Sequence, residues 1–149
     1  MNLLFWRRRR HEVDTDPRDI DRLIFDIAEQ KRRRDFDLLC RRLRDMNLFA
    51  PIGETNVEVP SGTTHVVAPG DAVKLPTVSL ADGRSVVPFC VAQDDPRLGL
   101  RYAGMKAAEA FRMTLKMPEV HGLILQNRGI SWVAFLRHDI ERALKRYLS

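Results

Sequence analysis

The stretch HGLILQNRGISWVAFL, residues 121–136, decides the fold. Its two runs, GLILQ and SWVAFL, are apolar and too short for core helices, so they read as strands. Near-continuous apolar runs of this kind suit strands covered on both faces. Asn127, Arg128 and Gly129 between them supply a tight turn, and a hairpin follows. Leu123, Leu125, Trp132, Val133 and Phe135 are therefore expected in adjacent antiparallel strands of one sheet. Trp132 and Tyr147 read as core, not as platforms for stacking bases.

Working outward, the chain after the hairpin carries Ile140, Ala143, Leu144, Tyr147 and Leu148 on one helical face. Asp139 and Glu141 fall in the first turn of that helix, and Lys145 and Arg146 in its last, as the macrodipole prefers. Before the hairpin, YAGMKAAEAFRMTLKM (residues 102–117) reads as a helix ended by Pro118. Its Ala107, Ala108 and Ala110 allow close approach to a sheet. Upstream again, Asp82-Gly83 between two β-rich runs signals another hairpin, with both turn residues expected at positive φ. Pro76 and Pro88 point to edges, bulges or strand ends there. Leu48 to Ile52 and Thr64 to Ala68 read as short strands.

The N-terminal third is helical. Asp16 is the expected cap, Pro17 fits the first turn, and Asp19 favours the positive end of the dipole. Ile20, Leu23, Ile24 and Ile27 mark one face. A second helix from Asp35 places Phe36, Leu39, Cys40 and Leu43 together. The sum is an α+β fold: a mixed, largely antiparallel sheet packed by about four helices. Residues 1–15 form an arm, and residues 16–149 a single domain.

The pattern resembles the N-terminal domain of the SseB family, the enhanced serine sensitivity proteins. FDLLCRRLRDMNLFAPI (residues 36–52), DGRSVVPFCV (82–91) and HGLILQNRG (121–129) carry the resemblance in series. Phe89, Cys90 and Val91 stand where the family often has phenylalanine, threonine and serine. Asn127-Arg128 replaces its asparagine-proline turn. Gly53 to Asp71 reads as an insertion. The resemblance implies a bacterial, cytoplasmic α+β domain with no catalytic residues to carry over.

Composition agrees with an ordinary folded domain: 149 residues, 44% hydrophobic and 30% charged, with net charge +5. Two cysteines without metal or redox spacing suit a reducing compartment. Twenty of the 25 basic residues are arginine, a bias that a GC-rich genome also produces. Charge is spread along the chain, whereas nucleic-acid binders more often concentrate it on one element.

Little catalytic chemistry is visible. His11, His65, His121 and His138 have no partner at ligand spacing, so no metal and no cofactor is expected. SGTTH and APGDA lack the lysine and the strand-to-helix context of a phosphate loop. Asp94-Asp95 reads as loop capping. Cys90, at a strand end, is the one candidate nucleophile, and His121 is the base that could meet it. Burial as a small hydrophobe is its structural reading.

Two basic stretches remain as candidate interaction residues. Lys31, Arg32, Arg33 and Arg34 follow the first helix, where the dipole and solvent explain them. Leu4, Phe5 and Trp6 run into Arg7, Arg8, Arg9 and Arg10, the reverse of a secretory signal's order. That arm suits weak attachment to an anionic surface, or packing on the domain or a neighbouring copy. The expected function is a non-catalytic cytoplasmic interaction module that acts through a protein partner or self-association, with no small-molecule substrate. The alternative is peripheral binding of an anionic membrane surface or nucleic acid through the arm and the basic helix face. A small enzyme using Cys90 comes third.

Overall fold

The computed structural model describes residues 18–53 and 74–148. The N-terminal arm, with Leu4, Phe5, Trp6 and Arg7 to Arg10, and the expected strand at Thr64 to Ala68 lie outside them. Helix α1 spans Ile20–Gln30 and, after a 3-10 turn at Arg33–Asp35, α2 spans Phe36–Leu43. Strands β1 (Asn47–Pro51), β2 (Val78–Ser79) and β3 (Ser85–Cys90) come next. A 3-10 turn at Pro96–Leu98 leads to β4 (Tyr102–Lys106) and α3 (Ala107–Leu115). Strands β5 (Gly122–Gln126) and β6 (Trp132–Leu136) and helix α4 (Arg137–Arg146) complete the chain. The fold is α+β, with a mixed six-stranded sheet ordered β4-β1-β3-β5-β6 and β2 paired to β3.

The hairpin at residues 121–136 forms as expected, with Leu123 opposite Phe135 and Leu125 opposite Val133. Strand β5 also pairs with β3 in parallel, from Val86↔Gly122 to Cys90↔Gln126. Flanked on both edges, its Gly122 to Leu125 are all buried. Strand β6 ends the sheet instead, so its burial alternates. Val133 and Phe135 join the core, while Trp132, expected in the core, turns to the opposite face and is 44% exposed. Tyr147 is half-buried against the core.

One sheet face carries the main core. Leu48, Ala50, Val87, Phe89, Leu123 and Leu125 meet Ile24 of α1, Leu39 and Leu43 of α2, Phe111 of α3 and Ile140 of α4. The alternation of β3 places Val86, Pro88 and Cys90 on the other face, and these are buried too. Aromatic rings bind the layers together: Phe135 lies 4.6 Å from Phe36 and 5.1 Å from Phe111 between ring centroids.

Four local expectations change. The cap of α1 is Asp19, not Asp16: its Oδ1 accepts from the Arg22 amide at 2.8 Å. The predicted long third helix begins only at Ala107, because Tyr102–Lys106 pairs with β1 along five residues. Its Gly104 leaves space for the Phe49 ring, which a Cβ would approach to 3.0 Å. In the β2–β3 turn only Gly83 has positive φ. The Gly83 amide donates to the Leu80 carbonyl, and Leu80 N to the Arg84 carbonyl, which makes Ala81, Asp82 and Gly83 a three-residue loop. Pro88 sits inside a central strand. β2 pairs with Ser85 and Val86, and β1 with Cys90. The missing amide of Pro88 faces the gap between them, so no ladder bond is lost.

Two further groups hold the frame. The Arg137 guanidinium donates to the carbonyls of Leu115, Met117 and Val120 and so closes the C-terminal end of α3. Gly122 lies so close to β6 that a Cβ would stand 2.1 Å from the Phe135 carbonyl oxygen. Leu125→Ala is expected to cost about 2–5 kcal/mol, and Gly122→Ala about 2 kcal/mol or more from overpacking against backbone. Urea denaturation checks both, and a Gly122→Ala protein as stable as the parent would contradict this packing.

Candidate functional site

The Lys31–Arg34 run does not act as one solvated face; the fold divides it. Lys31 ends α1 in the left-handed region at φ 57°, the only described residue besides glycine to do so. That reversal turns Arg32 inward. Its Nε lies 3.2 Å from Asp35 Oδ2, and its Nη1 lies 3.6 Å from Asp26 Oδ2. Arg18 completes the cluster, with Nη1 at 2.7 Å from Asp35 Oδ2 and 3.2 Å from Asp26 Oδ2. Arg22 Nε adds a contact with Asp26 Oδ1 at 3.2 Å. Asp26 is 1% exposed, and a buried carboxylate needs this company. The hydrogen bond from Arg18 holds the Asp35 carboxyl below its ordinary range, aided by the charges of Arg18, Arg32 and Arg34. Arg32 is therefore a structural residue. Lys31, Arg33 and Arg34 are exposed.

Lys31 and Arg33 converge instead on a groove of about 770 Å³ beside β6. Ile27 and Ala28 of α1 form one wall, with Phe36 next to them. Trp132, Val133, Ala134 and Leu136 of β6 contribute the strand side. His138, Asp139 and Arg142 of α4 close one end, and Arg84 reaches in from the β2–β3 turn. Its volume is that of a pocket for a drug-sized molecule or a short peptide. Sequence reasoning missed this place. Only the apolar character of β6 marks it, and by itself that pattern points to burial on both faces.

The acids of the groove are occupied. Glu29 Oε1 accepts from the Ser131 hydroxyl at 3.1 Å, and Asp139 Oδ2 accepts from the Leu136 amide at 3.1 Å. Arg84 pairs with Asp82 at 2.6 Å, and Arg142 with Asp37 at 3.3 Å. Among the described residues, no ion pair engages Lys31 or Arg33.

Cys90 stands elsewhere. It is 1% exposed, and its Sγ lies 3.5 Å from Gln126 Oε1. Burial, and secondarily the negative charge of Asp95, push its thiol up to about 11. His121 does not meet it. The His121 Nδ1 accepts from the Ser85 amide at 3.3 Å, at the opposite end of β3. Cys40, in the core, is pushed up to about 12, first by burial. Asp95 caps the 3-10 turn through the Arg97 amide at 3.0 Å, and Asp94 lies in solvent. The Arg97 hydrogen bond holds Asp95 below its ordinary value.

The buried Asn127 is a tie between elements that its place in a turn did not reveal. Its Nδ2 donates to the Asp21 carbonyl at 3.1 Å, and its Oδ1 accepts from the Ser131 amide at 3.2 Å. Arg97 also donates to the Asn127 carbonyl. Together with Asp21 on the Arg128 amide at 2.9 Å, this seats α1 against the β5–β6 loop and fixes one groove wall.

Among the described residues, no group of three or more histidines, cysteines or carboxylates is placed to hold a metal ion. No described helix is long and apolar enough to cross a membrane. No protein-family model matches the chain, and neither a curated protein nor a solved structure matches it.

Two outcomes follow from these environments. Cys90 should react slowly with a thiol reagent in the native protein at neutral pH and quickly after unfolding; rapid native labelling would contradict its burial. Asp35, depressed in the folded state, contributes stability that is complete above its unfolded pKa and is lost as pH falls through the folded value. Stability should therefore drop below pH ~4, and less so in Arg18→Gln, which lacks the main cause of the shift. Urea midpoints across acid pH measure this, and equal slopes in the two proteins would contradict it.

Proposed function

We propose that the chain is a non-catalytic interaction module of the SseB N-terminal type, which works in the bacterial cytoplasm through protein contacts. The observation that carries this reading is the groove beside β6. It combines apolar walls, a half-exposed tryptophan and two cations, Lys31 and Arg33, that no ion pair engages among the described residues, at the end of a sheet. Aromatic and arginine-rich surfaces of this kind are where binding energy between proteins concentrates. The α+β architecture is compatible with the resemblance in residues 36–52, 82–91 and 121–129.

Catalysis by Cys90 draws little support. A thiol raised to about 11 and buried away from His121 is a poor nucleophile. Polyanion binding through the basic run draws less support than its composition offered, because Arg32 is spent on Asp26 and Asp35. The arm keeps that alternative open to test.

Capture from the native cell with the full chain tests the reading. After nuclease and detergent treatment, a protein should remain bound to the parent chain and be lost from Trp132→Ser. Retention of only nucleic acid or lipid would instead select the alternative.

A further inference from the structure

We propose that the free edge of β6 takes up an extended, acidic peptide segment of a partner protein as an additional strand. This rests on the reading of the chain as an interaction module and adds the mode of binding and the partner's chemistry.

The backbone supplies the first argument. Asn127 N donates to the Ser131 carbonyl, and Arg137 N to the His121 carbonyl. With Leu125 opposite Val133 and Leu123 opposite Phe135, the odd-numbered residues of β6 bond to β5. The N–H and C=O of Trp132 and Ala134 therefore point away from the sheet. No hydrogen bond among the described residues uses them. The next outward amide, that of Leu136, is taken by Asp139. Among the described residues, the edge thus offers two residues with four unpaired backbone groups, the template a peptide strand needs. These groups border the groove, whose α1 wall supplies Ile27 and Ala28 to an incoming apolar side chain.

Charge supplies the second argument. The groove's acids, Glu29 and Asp139, are engaged within the fold, whereas no ion pair among the described residues engages Lys31 or Arg33. An occupant with carboxylates at alternate positions completes these cations while its intervening side chains meet the apolar wall. A second copy of this chain would bring the same cations against them, which disfavours pairing of two such edges.

The test uses the full chain and labelled, blocked heptapeptides that alternate glutamate with valine, isoleucine, tyrosine or threonine, followed by fluorescence anisotropy. At least one should bind saturably. Methylation of the peptide nitrogens along one edge should weaken it roughly tenfold, as lost backbone hydrogen bonds do. Ala134→Pro removes an outward amide without touching the β5 ladder and should act alike, with circular dichroism as the check on folding. Reversal of Lys31 and Arg33 to glutamate should weaken acidic peptides roughly tenfold and favour peptides with lysine in place of glutamate. Failure of every acidic peptide, or binding indifferent to N-methylation, overturns the proposal. A dimer of the chain alone that dissociates on Ala134→Pro also overturns it, since the edge then belongs to a second copy. If the peptides fail while a protein is still captured through Trp132, only the strand mode falls and the module reading stands.

Discussion

The structure depends on the parallel pairing of β3 with β5. Parallel neighbours cannot be joined by a tight turn, so the chain between them must leave the sheet and return. It does so by placing β4 on the far side of β1 and then crossing back through α3. Pairing on both edges leaves β5 buried throughout, and β6, joined to it by a short loop, becomes the terminal strand. Gly122 and Arg137 serve this arrangement. One permits close approach of the two strands, and the other closes the helix that returns the chain to β5.

Much of this was legible in the residues. The alternation of Ile20, Leu23, Ile24 and Ile27, and of Phe36, Leu39, Cys40 and Leu43, gave both N-terminal helix faces. The hairpin at residues 121–136 followed from two apolar runs and a turn. What was not legible is non-local. Tyr102–Lys106 has helix-forming neighbours, and only its pairing with β1 makes it a strand. Pro88 contradicts a central strand until the handover from β2 to β1 is seen. Trp132 looked like core because composition cannot tell a strand covered on both edges from one at the end of a sheet.

The candidate site shows the same division. A run of four cations reads as one feature, yet a single left-handed residue, Lys31, sends Arg32 into the cluster with Asp26 and Asp35. Lys31 and Arg33 are left at the groove. The buried carboxylates were also unreadable from sequence, since their partners Arg18, Arg22 and Arg32 come from different turns. This cluster anchors the junction of α1 and α2. Asn127 anchors the other end of α1, so the groove wall is held at both ends before any partner arrives. A wall fixed in this way limits the ordering that binding requires.

Whether the β6 edge is open is the point on which the functional account turns, and amide hydrogen exchange of the free full chain reads it directly. The account predicts alternation along the strand, with Val133 and Phe135 protected by their bonds to β5 and Trp132 and Ala134 exchanging fast. Uniform protection across these four amides would mean that the edge is already covered, and would contradict the account.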